Sequence, residues 1–206
     1  MLELFVSSFI TFFVVIDPPG CAPIFAGLTG GATPPQRRAM AIRAVAVAAG
    51  ILIVFALFGQ ALLHGLGISL ASFRIAGGIM LFLIALEMVF ERRTQKREDR
   101  AAQAVASPEV EDVSIFPMAM PMIAGPGSIA SAMLLMGRNV GWERQGVVLA
   151  ALGANLVLML ASLLAAGAIM RVVGAKIEAV ITRLLGVLLA ALAVQFVMDG
   201  LQVSLG

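Results

Sequence analysis

The sequence predicts an all-α membrane protein of six transmembrane helices, arranged as two inverted-topology three-helix repeats. Three observations point there: an apolar excess that no water-soluble fold could cover, six helix-length apolar runs, and a matched pair of Pro/Gly breaks. Of 206 residues, 61% are hydrophobic and 13% charged, against about 45–50% and about 25% in a soluble domain. Mean hydropathy is +1.03. A soluble chain of this length exposes too much surface for so few polar side chains to coat. Lipid is the solvent that suits it.

A bilayer core about 30 Å thick is crossed by ~20 apolar residues in helical form. Such runs fall at about 4–27, 44–63, 70–90, 114–136, 146–170 and 178–198. Between the third and fourth lies ERRTQKREDRAAQAVASPEVED, residues 91–112, with 11 of the chain's 26 charged residues (14 basic and 12 acidic in all). So polar a stretch buries too little apolar surface to fold alone and reads as a tether. The chain therefore divides into a first three-helix repeat at 1–90, a charged loop at 91–112 and a second repeat at 113–206.

Lys and Arg set the orientation. Arg37, Arg38 and Arg43 flank the first connection, five basic residues lie in 91–112, and Arg171, Lys176 and Arg183 flank the fifth connection. These share one side and hold 11 of the 14 basic residues, the others being Arg74, Arg138 and Arg144. The predicted topology puts the charged loop in the cytoplasm and both termini in the periplasm of a bacterial inner membrane.

Shifted by 107 residues, Asp17-Pro18-Pro19-Gly20 falls on Ala124-Gly125-Pro126-Gly127; shifted by 109, Arg74-Ile75-Ala76-Gly77 falls on Arg183-Leu184-Leu185-Gly186. Each half is a Pro/Gly-interrupted helix, a plain apolar helix and a helix opening with Arg-x-x-Gly. Three spans per half is an odd number, so the halves enter the membrane from opposite sides. Inverted repeats with paired broken helices are a common plan of secondary transporters, whose sites sit on the breaks near the midplane.

The first break is IDPPGCAPIF, 16–25. Pro18, Pro19 and Pro23 oppose a continuous helix, and Gly20 admits an unusual φ. Asp17 is an acid within the span, where a charge costs about 2.5–3.5 kcal/mol on insertion scales and marks a pathway or a partner. Two readings stand for it: a substrate or proton contact, or an N-cap for a helix starting at Pro18. The second break is AMPMIAGPGSIAS, 119–131. Gly125-Pro126-Gly127 should interrupt the helix, and Ser128 stands where new N–H groups and the helix dipole would favour an anion; the alternative is a kink packed on small residues. Asn155, in the middle of the fifth run, either lines a cavity or bonds a neighbouring helix.

Much chemistry is excluded. Cys21 is the only cysteine and His64 the only histidine, so Cys- or His-based metal sites and intrachain disulfides fall away. No basic n-region precedes the first apolar run, as a signal peptide requires. The pI of 9.3 reflects loop residues between membrane helices and not a basic nucleic-acid face. No nucleophile has a base partner and no Gly-rich phosphate loop follows a strand, so the sequence reads as neither an enzyme nor an ATP-driven pump.

The segments VIDPPGCAPIF, PMIAGPGSI at 121–129 and FRIAGGIMLFLIALEM at 73–88 resemble the MarC family of bacterial inner-membrane proteins over essentially the whole chain. The family takes its name from a multiple-antibiotic-resistance locus, which does not establish drug efflux. Related members are classed as small neutral amino acid transporters, and the fold is similar to that of the lysine-exporter superfamily. The resemblance implies site positions at Asp17, Pro18, Gly20, Pro23, Gly125, Pro126, Gly127 and Ser128. The expectation is a secondary transporter of small neutral amino acids, with no cofactor and with H+ or Na+ as coupling ion. Its partners would be membrane lipid, a small-molecule substrate and, in an oligomer, further copies of itself. The rival readings are a non-transporting scaffold or stress-response accessory and a drug or metabolite exporter.

Overall fold

The computed structural model describes residues 1–90, 92, 95, 112–168 and 174–205. Apart from Arg92, Gln95 and Asp112, the predicted charged tether lies outside the described residues, as does Arg171. Seven α-helices are described: α1 Leu2–Ile16, α2 Pro18–Leu28, α3 Pro34–Gly65, α4 Leu70–Val89, α5 Pro126–Arg138, α6 Trp142–Leu164 and α7 Gly174–Leu205. Five spans are long and apolar enough to cross a membrane: Leu2–Leu28, α3, α4, α6 and Val180–Ser204. The segment Ser114–Ile123 with α5, bent by 52° between them, brings the number to six when the pair is counted as one broken span and leaves it at five when the pair is a re-entrant loop. The apolar side chains facing outward, among them Phe58, Leu83, Val157 and Leu184, suit lipid and not water.

Local chemistry explains where these helices begin. Gln36 Oε1 accepts from both the Thr33 N–H (2.9 Å) and the Thr33 hydroxyl (2.8 Å) ahead of α3. Ser69 Oγ accepts from Ser72 N–H at 3.0 Å to start α4. Pro34 and Pro126 occupy first-turn positions, where a missing N–H forfeits nothing. The Arg37 guanidinium donates to the Thr29 carbonyl at 3.0 Å, a cation on the C-terminal end of α2, where the dipole favours it.

The first break is narrower than the sequence suggests. It is confined to Asp17, which takes the left-handed conformation (φ 60°, ψ 65°), while α2 runs on through Gly20 and Pro23. Gly20 is therefore not the residue with the unusual φ. Aspartate tolerates that region better than most residues, and its side chain gains by it: Asp17 Oδ1 accepts from Gly20 N–H at 3.1 Å. Pro18 and Pro19 fall in the first turn, where the ring is harmless; Pro23 gives up only the bond to the Pro19 carbonyl. The capping reading of Asp17 is correct as structure.

The second break is wider. Ser114–Ile123 is wound with bonds five residues apart, Met118 N–H to Val113 carbonyl (3.3 Å) and Ala124 N–H to Ala119 carbonyl (2.9 Å). Extended residues interrupt it at Phe116 and Met120, each joined to the following proline by a cis peptide bond. Gly125 is required here, because a Cβ would lie 2.4 Å from the Pro121 carbonyl oxygen. The fifth run turns at Ala165, where α6 ends, and is helical again at 166–168; its predicted end near 170 lies outside the described residues.

α5 is the centre of the molecule. Residues 127, 128 and 130–137 are all buried, and α1, α3 and α4 pack around it. A helix apolar on every side belongs inside. On one flank α4 and α7 lie against each other along their lengths. A Cβ on Gly78 would meet the Ala193 carbonyl at 2.8 Å and Val197 N at 3.0 Å; one on Gly186 would meet Met88 Cβ at 2.9 Å and the Ala85 carbonyl at 3.1 Å. A Cβ on Gly200 would meet the Ala71 carbonyl at 3.0 Å. Contacts thus run from 71 against 200 to 88 against 186, so the two helices are antiparallel. They also exchange: Gly78 faces Ala193 and Val197, and Gly186, 108 positions later, faces Ala85 and Val89, each 108 positions earlier.

These contacts and the Asp17 cap set the stability of four variants, each readable as the temperature at which buried Cys21 becomes reactive to a maleimide dye in detergent. Gly78→Ala forces two backbones apart and should destabilise by about 1–3 kcal/mol. Gly153→Ala, where nothing lies within 4 Å, should instead stabilise by about 0.5–1 kcal/mol. Asp17→Ala loses both the cap and a residue suited to positive φ and should cost about 2 kcal/mol or more. Asp17→Asn, which can cap and can adopt that φ, should keep most of the stability.

Candidate functional site

The helix ends that flank the two breaks meet. A Cβ built on Gly127, in the first turn of α5, would lie 3.3 Å from Val15 Cγ1 on α1, and Asp17 follows two residues later. The same position touches α4, with Ile84 Cδ1 at 2.5 Å and Leu81 Cδ2 at 3.5 Å. The end of α1, the start of α5 and the middle of α4 therefore converge. Asp17 is 1% exposed and Ser128 2%, so this junction is closed from lipid, as irregular backbone in a membrane must be.

The two helix N-termini at the junction differ. That of α2 is filled from within: Asp17 supplies a carboxylate to Gly20 N–H, and its carbonyl accepts from Cys21 N–H at 3.1 Å. That of α5 has no side-chain cap. Its first helical bond runs from Ile129 N–H to the Gly125 carbonyl at 3.0 Å, so the N–H groups of Gly127 and Ser128 precede the helical ladder. Both residues are buried. A buried, uncapped N-terminus carries the positive end of the dipole and free donors, the combination that binds anions.

Not all the residues picked from the sequence reach this junction. Pro18, Gly20 and Gly125 are buried there, Gly20 as the donor to Asp17, whereas Pro23 is half-buried within α2 and Pro126 is exposed. Asn155 sits on α6 and bonds a neighbour: Nδ2 donates to the Phe9 carbonyl of α1 at 3.0 Å and to the Ala151 carbonyl at 3.0 Å. That places it eight residues from Asp17 along α1, about 12 Å. Sequence reasoning passed over Ser8, fully buried on α1, and treated Ser131, fully buried on α5, only as a small packing residue. The legible signal was a hydroxyl at an inward position, since Ser8 shares a face with Phe12 and Val15.

Elsewhere, a groove of about 710 Å³ runs between α1 and α7, lined by residues including Val6, Ile10, Val14, Leu188 and Leu192. It is apolar, and neither Asp17, Gly127, Ser128 nor Asn155 lines it. Among the described residues, ion pairs also form at other positions. Arg43, near the start of α3, pairs with Asp112. Arg138, ending α5, pairs with Asp199 of α7 at 2.9 Å, and Gln195 Nε2 donates to the same carboxylate at 2.7 Å. The Arg43–Asp112 pair, exposed on both sides, contributes little to stability.

Known proteins extend the comparison along the whole chain. Residues 2–205 match the family described as "MarC family integral membrane protein". A UPF0056 membrane protein of Methanocaldococcus jannaschii is 34% identical over 204 residues, covering 99% of this chain and 98% of its own. The UPF0056 membrane protein YvbG of Bacillus subtilis is 33% identical over 202 residues, 98% and 96% of the two chains. The UPF0056 inner membrane protein YhgN of Escherichia coli K12 is 31% identical over 199 residues, 96% and 95%. No solved structure matches. Full-length agreement with the family and with these relatives settles one point: the chain belongs to the MarC family of integral membrane proteins.

Proposed function

We propose that this protein is a secondary transporter of small neutral amino acids in the inner membrane, built as two inverted repeats with both termini periplasmic. The observation that carries the reading is the buried, uncapped N-terminus of α5, set against the self-capped break at Asp17. The substrate carboxylate rests on the N–H groups of Gly127 and Ser128. Its ammonium, or a coupling proton, engages Asp17. The substrate is small because Val15, Leu81 and Ile84 crowd the α5 N-terminus to within 3.5 Å of the Gly127 Cβ position.

Two further observations favour the inverted plan. The antiparallel, exchanged contacts of α4 and α7 are what a two-fold axis in the membrane plane produces when it relates the third helices of two halves. Each half also opens with a broken span, at Asp17 and at 124–125. The inner-membrane location is supported by the name of the Escherichia coli relative, an inner membrane protein, and by the distribution of Arg and Lys.

The test is uptake of radiolabelled glycine, alanine, serine and threonine into proteoliposomes, with and without pH and Na+ gradients. Saturable, gradient-driven uptake with mutual competition is expected. Asp17→Asn should lower it by an order of magnitude or more, equivalent to about 1.4 kcal/mol or more, while protein yield and thermal stability stay near wild type. Normal uptake by that variant would leave Asp17 as a cap alone. In a Cys21→Ser background, Ser128→Cys should react with a water-soluble maleimide and be shielded by substrate. No uptake together with no labelling would favour a scaffold with sealed helices.

A further inference from the structure

The two faces of α1 differ in what they ask of their surroundings. One carries Ser8, Phe12 and Val15, all buried, and Ser8 Oγ has no hydrogen-bond partner there; Ser131 Oγ on α5 is in the same state. The other answers its own polar group, since Thr11 Oγ1 donates to the Ser7 carbonyl at 2.8 Å. This second face forms one wall of the groove of about 710 Å³ beside α7. Thr11, Val14 and Leu189 are buried on its floor, whereas Val6, Ile10 and Leu188 are exposed along its rims. The groove is thus an apolar slot that opens sideways, toward the surface that lipid covers.

From Glu3 to Val14 the slot follows about 17 Å of helix, close to the depth of one leaflet in a hydrocarbon core about 30 Å thick. Glu3, exposed in the first turn of α1, is the one ionisable side chain among the residues that line it. With the other described residues Glu3 forms no ion pair. We propose that the groove seats an acyl chain of a phospholipid whose headgroup carries a primary ammonium, with that ammonium on the Glu3 carboxylate. Acyl chains of any lipid suit the slot equally, so the selection lies in the carboxylate at its mouth: it attracts an ammonium and repels a headgroup of net negative charge. A second copy of the chain fits less well. Paired across a two-fold axis along the membrane normal, it would set Glu3 against Glu3, and the rims are branched side chains where close helix pairs use small ones. Lipid binding here is independent of the transporter reading.

The test uses full-length protein in detergent, stripped of lipid and mixed with dioleoyl phosphatidylethanolamine or phosphatidylglycerol, and native mass spectrometry reads the lipid retained. One phosphatidylethanolamine per chain is expected. It should be retained over phosphatidylglycerol by about five-fold, the scale of one charge at headgroup level. Glu3→Gln should bring that ratio close to one. Val6→Trp fills the slot from one exposed rim and should lower retention of both lipids several-fold; Leu188→Trp, from the opposite rim, should do the same. Ile53→Trp, exposed on α3 and outside the groove, should change nothing. The temperature at which Cys21 becomes reactive checks that each variant is folded. Equal retention of the two lipids by wild type, a preference that survives Glu3→Gln, or retention unchanged in both groove-filling variants would overturn the proposal. A dimer that takes the place of the lipid adduct and is lost in Val6→Trp would also overturn it, and would assign the groove to a second copy.

Discussion

A polypeptide in hydrocarbon must answer every backbone N–H and carbonyl from within. That requirement governs most of this architecture. A break in a spanning helix frees several such groups at once, and both breaks here are placed where protein surrounds them. At the first, one aspartate closes the gap: its carbonyl keeps a bond to Cys21, its N–H one to the Phe13 carbonyl at 2.9 Å, and its side chain reaches Gly20. At the second, the solution is incomplete. The donors at the start of α5 are buried without a side-chain cap to receive them, and that deficiency is what the proposed substrate carboxylate would answer.

The division of labour among helices follows. α4 and α7 meet backbone to backbone through Gly78, Gly186 and Gly200, a contact that adds van der Waals attraction where lipid provides no hydrophobic drive between helices. They form a rigid flank. α1 and α5 carry the breaks and the unanswered oxygens, and so hold the polar interior. Packing that tolerates no added methyl group on one side and leaves polar groups unanswered on the other separates framework from site within a single small chain.

Much of this was readable from residues alone. The six spans follow from apolar length, and Asp17 with the three prolines located the first break to within a turn. What could not be read was which residue would carry the strain. Proline-rich text such as IDPPGCAPIF suggests a long disruption, yet prolines in a first turn are harmless and the cost collapses onto Asp17. The second break was underestimated: Pro117 and Pro121 disfavour helical backbone at Phe116 and Met120, where the extended residues lie, but Gly125-Pro126-Gly127 is the more conspicuous interruption in the sequence. Gly78 and Gly186 are the glycines through which α4 and α7 meet, whereas Gly77, of the Arg-x-x-Gly motif that it shares with Gly186, faces Leu134 and Ala130 of α5. A one-residue offset is invisible among Gly-rich helices and decisive for which face is buried. Ser8 and Ser131 were obscure for a similar reason, since a serine in an apolar helix discloses nothing about whether its hydroxyl is already bonded.

The enclosure of α5 also bears on biosynthesis. The three helices packed most extensively around it, α1, α3 and α4, all precede it in the chain, so the walls exist before the occupant is made. Its segment is interrupted by Pro117, Pro121, Gly125 and Pro126 and would be a poor candidate for solitary partitioning from the translocon into lipid. A prepared slot removes that difficulty: the span can pass from the translocation channel straight into protein, without an intermediate in which its broken backbone faces acyl chains. The order of the helices along the chain is then a folding instruction, with α1, α3 and α4 serving as the intramolecular chaperone of α5.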